Sequence, residues 1–315
     1  MADFQEEHMS YIFGPVPSRR LGRSLGIDLV PFKTCSYDCI YCQQGRTTNR
    51  TVERREWFPL ESILAELEDK LTTNPDYITL SGSGEPTLYS RLDELIAGIH
   101  AMTDIPVAVL TNGSMLWQDE LRAQLLDAEL VIPSLDAGDA TVFEVVNRPH
   151  PNISFERMIE GLKLLRTEFK GEYWLEVLIV GGVTDNCAEV KKIADYVADI
   201  RPDRIQLNTV TRPATEAYAS KVSFDKLAEF AKLFNPVAEV IADFHGIHAA
   251  TEFESARGDV LEMIVRRPCT IDDIANGLGI HHNEAIKHVE KLTKDEVIER
   301  FDSSGKHFYR KPEKK

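Results

Sequence analysis

From residue 24 the chain alternates short runs of β-branched or apolar residues with longer stretches of helical periodicity, and this alternation restricts the fold more than any other feature. The strand-like runs are residues 24–31, 77–81, 107–112, 130–135, 174–180 and 204–210. Each is continuous enough in apolar character to be covered on both faces, as parallel strands between helices are. Helices are expected to begin near Pro59, Arg91, Gln118, Phe155, Cys187 and Ser223. Pro59 suits a first-turn position, and Ser154 suits an N-cap before Phe155. Six βα units are too few for an eightfold barrel, which leaves an open partial (β/α)6 barrel or a doubly wound sheet. Either α/β architecture puts its chemistry at the C-terminal ends of the strands.

The pattern changes after Phe253. Residues 259–267, 271–278 and 281–294 read as three short helices, followed by strand-like residues 297–301 and 307–310 around a turn at 302–306. Helix, helix, helix, hairpin is the order of a winged helix-turn-helix, with Gly279 in the turn between the second and third helices. Two domains are therefore expected, residues 1–253 and a small C-terminal winged helix-turn-helix of residues 254–315, the latter separable from the former. The charged residues 311–315 are expected to fray.

Three of the five cysteines, Cys35, Cys39 and Cys42, fall within eight residues, on the loop after the first expected strand. Three thiolates at this C-x3-C-x2-C spacing can ligate three irons of a [4Fe–4S] cluster and leave the fourth iron open. A zinc site is the alternative, but tetrahedral zinc wants a fourth ligand and no nearby Cys or His supplies one. The isolated Cys187 and Cys269 read as small buried hydrophobes. No run of about 18 apolar residues is present, and the N-terminus lacks the basic and apolar regions of a leader, so the expectation is a soluble cytoplasmic protein with no membrane partner.

With Tyr41 directly before its last cysteine, the motif resembles the signature of the radical S-adenosylmethionine (SAM) superfamily, and further segments match in order. Residues 81–86, Ser-Gly-Ser-Gly-Glu-Pro, look like the family's Gly-Gly-Glu motif that holds the methionyl amino group, with Ser83 in place of the first glycine. Thr111-Asn112-Gly113, Ser134-Leu135-Asp136 and Gln206-Leu207-Asn208 follow at strand ends or within the last strand. The resemblance covers roughly residues 10–250. It implies the partial barrel, a [4Fe–4S] cluster on Cys35, Cys39 and Cys42, and SAM contacts from Tyr41, Gly82, Ser83, Gly84, Glu85, Thr111, Ser134, Asp136 and Asn208. Arg148, in Asn147-Arg148-Pro149, is expected to meet the cofactor carboxylate. A one-electron reductant such as a flavodoxin or ferredoxin is implied as partner. By residue chemistry alone, glycines that admit a ligand and a carboxylate that orients it agree with this reading, although the 81–86 string by itself also reads as a tight turn.

The sequence around residues 13–20, together with the cysteine loop, further resembles uncharacterised Fe–S oxidoreductases related to wyosine-base tRNA synthases. Those synthases carry a second cysteine set upstream, whereas here no cysteine precedes Cys35. The function expected is reductive cleavage of SAM to a 5′-deoxyadenosyl radical that abstracts hydrogen from a substrate. The alternatives are a non-catalytic Fe–S-sensing transcription regulator acting through the winged helix, or a radical activase of a partner protein. Small molecule, RNA and polypeptide substrates all remain open.

Charge bears on these choices. With 36 basic and 51 acidic residues the net charge is −15, which opposes nucleic-acid binding over the whole surface. Between Pro15 and Arg55, however, eight basic residues face three acidic ones, a local +5 that either draws an anionic substrate or forms ion pairs at the surface. The C-terminal segment from Arg257 has twelve basic and eleven acidic residues, and its recognition helix mixes signs, which weakens the case for DNA contact. His281-His282 reads as surface, Gly181-Gly182 as either a ligand approach or a turn, and Glu176 as either an inward or an edge carboxylate.

Overall fold

The structure, a computed structural model, describes residues 10–18, 20–241, 257–303 and 305–312. Arg19, the expected boundary at 253/254, Ser304 and residues 313–315 lie outside the described residues. The chain opens with β1 (Ile12–Ser18), β2 (Gly22–Ile27), and the two-residue strands β3 (Thr34–Cys35) and β4 (Asn49–Arg50). Then come α1 (Leu60–Lys70), β5 (Tyr77–Leu80), α2 (Leu92–Met102), β6 (Val107–Thr111), α3 (Asp119–Leu125), β7 (Leu130–Pro133) and α4 (Ala140–Val146). The α/β alternation ends with α5 (Phe155–Glu168), β8 (Glu172–Ile179), α6 (Cys187–Ile200), β9 (Arg204–Thr209), α7 (Phe224–Ala231) and β10 (Glu239–Val240). After the link come α8 (Arg257–Arg266), α9 (Ile271–Leu278), α10 (His282–Lys294), β11 (Glu299–Ser303) and β12 (Lys306–Arg310).

Eight strands form one sheet in the order β1-β2-β5-β6-β7-β8-β9-β10. All neighbours from β2 onward are parallel, and only β1 runs antiparallel, on β2. Strand order follows chain order without the reversal that defines a doubly wound sheet. The loops after the parallel strands therefore gather at one end. All six expected helix starts are present within one residue, and all six expected strands are present with bounds within two residues, except that β2 ends at Ile27, four residues before the expected end at Pro31.

Five elements escape the sequence pattern, among them the two-residue strands β3 and β4. β1 carries Pro15 and Pro17, which argue against a central strand but suit the sheet edge it occupies. β10 is two residues long. Residues 140–146 are rich in β-branched side chains, yet the Asp139 carboxylate accepts the Val142 amide at 2.9 Å as an N-cap and a helix forms.

The main apolar core lies between the sheet and its helices, with Leu25, Ile78, Val109, Val131, Leu175 and Leu207 from successive strands at most 1% exposed. A second apolar cluster holds α8–α10 together through Val260, Ile264, Ile274, Val289 and Leu292. Thr270 and Asp273 form a capping box at the start of α9, and Gly279 ends it in the left-handed conformation (φ 63°), in the turn foreseen from sequence. α8 and α9 also pack on β1, so this segment touches the sheet at its antiparallel edge. Among the described residues, no helix is long and apolar enough to cross a membrane.

Candidate active site

The three clustered cysteines are free thiols on a loop pinned at several points. Cys35 ends β3, and its carbonyl accepts the Thr51 amide at 3.0 Å. Thr215 Oγ1 donates to the Cys42 carbonyl at 3.0 Å, and the Glu216 amide to the Ile40 carbonyl at 2.9 Å, which fixes the loop to the segment after β9. Two asparagine amides point at thiols: Asn112 Nδ2 stands 3.6 Å from Cys35 Sγ, and Asn147 Nδ2 stands 3.6 Å from Cys39 Sγ. Burial, and then the charge of Glu85, push the Cys35 thiol up to about 12. Burial also raises Cys39 well above the ordinary thiol value, with Cys35 and Cys42 adding to it, and burial raises Cys42.

The 81–86 loop is sewn onto the cysteine loop. Lys33 N donates to the Ser83 carbonyl at 2.9 Å, and Glu85 N to the Thr34 carbonyl at 3.1 Å. This close approach needs a glycine between the two bonds: a Cβ at Gly84 would stand 1.9 Å from the Thr34 carbonyl oxygen. Gly84→Ala is accordingly expected to force the two loops apart, costing about 1–3 kcal/mol in a urea titration and lowering iron content after reconstitution. Unchanged iron content and midpoint would show that the loops tolerate separation.

Glu85 is 2% exposed and its carboxylate is held from several sides. It accepts Thr87 N at 3.0 Å, Thr87 Oγ1 and Thr111 Oγ1 at 2.6 Å each, and Asn112 N at 2.8 Å, and burial raises its pKa. Thr111 is thus engaged with Glu85, joining the ends of β5 and β6. Ahead of this loop, Asp28 follows β2 and accepts both the amide (3.0 Å) and the hydroxyl of Ser83. A guanidinium from α8 completes the arrangement, with Arg266 NH1 2.8 Å from Asp28 Oδ2 and Arg266 also stacked over Phe13 at 4.0 Å.

Asp136, past the end of β7, accepts the Tyr41 hydroxyl, Asn147 Nδ2 (3.0 Å) and Leu178 N (3.0 Å). Burial outweighs these bonds and raises its pKa from 3.8 to about 6. The folded state therefore favours the protonated acid. That contribution is complete below the ordinary pKa of 3.8 and is lost as pH rises through about 6. The difference in thermal midpoint between cofactor-free wild type and Asp136→Asn should therefore change across that window. A constant difference would remove the titration.

Arg148, expected at a cofactor carboxylate, is turned elsewhere. Its NH1 lies 2.7 Å from Glu216 Oε1 and its NH2 lies 3.2 Å from the Tyr218 hydroxyl, bracing the segment that carries the cysteine loop. Ser134 continues the sheet, its amide donating a hydrogen bond to the Thr111 carbonyl (3.1 Å) and its backbone bridging to Glu176. Glu176 takes the inward alternative, paired with Arg20 at 2.6 Å and accepting Asn208 Nδ2 at 2.8 Å. Gly182 adopts the turn conformation (φ 79°) with open space around it. Cys187 departs from expectation, being exposed at the start of α6, while Cys269 is buried. His281 caps α10 and His282 pairs with Asp272, as surface residues.

A cavity of about 540 Å³ reaches from the start of β2, at Arg23 and Ser24, to this end of the sheet. Tyr41, Gly82, Ser83 and Asn208 line it beside Cys42, whereas Gly84, Glu85, Thr111, Ser134, Asp136 and Arg148 are not among its walls. Side chains of α8 and α9 form part of its enclosure.

The profile of the Radical SAM superfamily matches residues 29–197, the stretch that carries the cysteine loop, the 81–86 loop and the ends of β6 and β7. The chain belongs to the radical SAM superfamily. It is 32% identical over 315 residues to a UPF0026 protein of Methanocaldococcus jannaschii, covering 96% of each chain. It is also 41% identical over 288 residues to a protein of Brachyspira hyodysenteriae named GTPase Obg, covering 90% of this chain and 42% of that one. The chain thus spans less than half the length of that relative. Among solved structures, a radical SAM methyltransferase from Sphaerobacter thermophilus shares the fold, with a TM-score of 0.55, 17% identity, and 72% and 69% of the two chains covered.

Radical SAM proteins are in general enzymes, and their cofactors are a [4Fe–4S] cluster and SAM. The residues of this radical SAM chain fit such a cluster chemically. Three neighbouring thiols with raised pKa values stay protonated until iron supplies the compensating charge, and two amide donors already face their sulfurs. Among the described residues, no three His, Cys, Asp or Glu side chains converge as ligands of a single ion. Thiolates on three different irons have no such requirement.

Four residues of this radical SAM site were not singled out from sequence. Asn112 and Asn147 lie inside segments that were noticed, beside the residues chosen. Asp28 had a usable signal, a carboxylate directly after a buried strand at the sheet's C-terminal end. Arg266 had none, because its partner is 238 residues away.

Proposed function

We propose that this chain is a radical SAM enzyme in which Cys35, Cys39 and Cys42 hold the cluster at one end of the 540 Å³ cavity and the 81–86 loop presents SAM to it. When bound and reduced, the cofactor pair supplies a 5′-deoxyadenosyl radical for hydrogen abstraction. The chain's own part is placement and exclusion of water. The observation that carries the reading is the backbone seam of Lys33, Thr34, Ser83 and Glu85, which sets a thiolate loop against a glycine-bearing cavity wall.

Within this reading, Tyr41, Gly82, Ser83 and Asn208 meet SAM at the cavity wall. Gly84, Glu85, Thr111, Ser134 and Asp136 position those residues from behind, through the bonds described above. Arg148 is assigned to bracing the cluster loop. A partial (β/α)6 barrel is supported by the unbroken parallel strand order. Division into residues 1–253 and a winged-helix unit of residues 254–315 is supported by the separate apolar cluster of α8–α10 and the hairpin β11–β12. A flavodoxin- or ferredoxin-like donor is the expected partner, and a reducing, cytoplasmic setting suits the free thiols. A relation to the wyosine-base enzymes belongs to this proposal and rests on the residue 13–20 segment and the cysteine loop.

The test is anaerobic reconstitution of the full chain with iron and sulfide, addition of dithionite and SAM, and assay of 5′-deoxyadenosine. The expected result is formation of 5′-deoxyadenosine with methionine. A protein that carries the cluster, binds SAM and yields no 5′-deoxyadenosine under reduction would overturn the reading.

A further inference from the structure

Sequence alone leaves open whether the basic residues between Pro15 and Arg55 draw an anion or pair at the surface, and the structure sorts them. Arg20 is paired with Glu176 at 2.6 Å, Arg46 with Glu216 at 2.6 Å, Arg54 with Glu120 at 4.0 Å and Arg55 with Glu53 at 3.9 Å. Arg23 bonds the Thr73 and Asn74 carbonyls. Lys33 and Arg50 are different. The Arg50 guanidinium donates to the Arg148 carbonyl at 3.2 Å, and the Lys33 ammonium lies 5.1 Å from the centre of the Phe32 ring. Neither has a carboxylate as an ion-pair partner among the described residues.

Both cations belong to the outer side of the cysteine loop. β3 and β4 pair in parallel with Cys35 opposite Arg50, and the Thr51 amide donates to the Cys35 carbonyl at 3.0 Å. Neighbouring strands lie about 4.8 Å apart, so the backbone of Cys35 is one strand spacing from the exposed β4. Lys33 is tied to the same ribbon, its carbonyl accepting the Thr48 and Asn49 amides at 3.2 Å each. Its Nζ stands 3.0 Å from where a Cβ on Gly45 would be, beside the turn that the Gly45 amide closes on the Cys42 carbonyl at 3.2 Å. Burial raises the Cys42 thiol, and the Lys33 charge is among the groups that oppose the rise. The cavity takes the other side of this loop, through Tyr41, Cys42, Gln43 and Gln44, and Lys33 and Arg50 are not among its walls. Next to Lys33 the Phe32 ring is 42% exposed. The carboxylates of this face, Asp38 and Glu216, are each shared by Arg46 and Arg148, so Lys33 and Arg50 leave a positive surplus in a chain of net charge −15.

Resting on the radical SAM reading above, we propose that this outer face, formed by Phe32, Lys33 and Arg50 with Arg46 at its border, is where an acidic one-electron carrier protein of the flavodoxin or ferredoxin kind docks to reduce the cluster. One electron passes from the reduced carrier to the cluster, and no atom is exchanged. Electron-transfer encounters are small, under about 1,200 Å², so an exposed ring rimmed by a few cations suffices where a lasting complex needs a larger apolar face. The charge pattern favours an acidic protein over RNA. Chain-wide acidity opposes a polyphosphate that must run along the surface, whereas screening within about 8 Å at physiological salt lets a compact carrier respond to this patch. The same acidity keeps the carrier off the rest of the surface, so the patch sets the orientation of the encounter.

The experiment uses the full chain with its cluster reconstituted anaerobically, and a purified flavodoxin and a purified ferredoxin as carriers. Two quantities are read for each carrier. One is the dissociation constant of the complex, from calorimetric titration at several salt concentrations. The other is the second-order rate of cluster reduction by the reduced carrier, divided by the rate with photoreduced deazaflavin, a small reductant that needs no docking face. In wild type, affinity and rate ratio for at least one carrier should both fall steeply with ionic strength. Arg50→Glu should lower each about tenfold, and Lys33→Gln should lower each to a smaller extent. Lys191→Glu, a charge reversal at an exposed position of α6, should match wild type. Values unmoved in Arg50→Glu and Lys33→Gln overturn the proposal, as does an equal loss in Lys191→Glu, which would reduce the effect to net charge. Binding of total tRNA that Arg50→Glu weakens, with no complex of either carrier, would assign the face to nucleic acid and likewise overturn it. A cluster that a carrier reduces and that then yields no 5′-deoxyadenosine from SAM is a different failure, that of the radical SAM reading, and leaves both readouts standing.

Discussion

Replacing any one of Cys35, Cys39 or Cys42 with Ala is expected to abolish the iron–sulfur absorbance and all SAM cleavage, because each supplies one of only three thiolates. Cys187→Ala and Cys269→Ala should retain both. The contrast follows from placement: Cys187 is exposed on α6, and Cys269 is buried in the apolar cluster of the C-terminal helices. Visible absorbance from thiolate-to-iron charge transfer, together with iron content, reads the result. Equal dependence on Cys187 would indicate four thiolates and remove the open iron on which SAM binding depends. Retention of a full cluster in Cys39→Ala would remove the three-thiolate assignment altogether.

Arg266→Ala is expected to destabilise the protein by about 3–5 kcal/mol, the usual cost of leaving one member of a buried ion pair without its partner. Asp28, with a side chain 6% exposed, would keep its bonds to Ser83 but lose its counter-charge. Burial already raises the Asp28 pKa, and Arg266 is one of the groups that opposes that rise. Without it the acid protonates more readily, and its hold on the Ser83 amide and hydroxyl weakens. SAM affinity should therefore fall along with the urea midpoint. Asp28→Asn combined with Arg266→Ala should recover part of the stability, since the stranded charge is then gone. A single Arg266→Ala variant with wild-type midpoint and SAM affinity would show that the pair is incidental. The same reasoning revises the separability expected from sequence: cutting the chain between residues 253 and 257 removes Arg266 and uncovers the face of β1 on which α8 and α9 pack.

The sequence pattern carried much of this structure because parallel strands flanked by helices announce themselves by composition. Buried on both faces, residues 107–112 and 204–210 have little choice but to be apolar, and caps such as Ser154 and Asn186 mark where the next helix begins. β1 was hidden because an edge strand tolerates the prolines that would exclude a central one. α4 was hidden because a single N-cap and its packing outweigh a β-branched composition. In the site, cysteine spacing and glycines are local signals and were legible. What each polar side chain does was not, because that depends on neighbours remote in sequence: Thr111 on Glu85, Tyr41 on Asp136, and Arg148 on Glu216. Arg148 illustrates the limit. Its position after the fourth parallel strand suggested a ligand contact, but the carboxylate that captures it lies 68 residues further along the chain.

The bond between Arg266 and Asp28 spans 238 positions, and this separation has a consequence for biogenesis. During synthesis the helix that neutralises Asp28 emerges only after 238 further residues, long after the cysteine loop. Until then the carboxylate that orients Ser83 has no counter-ion, and the β1 edge has no cover. Contacts of such long range form late, because the entropy of closing a long loop must be met before the contact returns anything. The carboxylate anchor of the 81–86 loop is therefore expected to be among the last parts of the cysteine end of the sheet to take its final form.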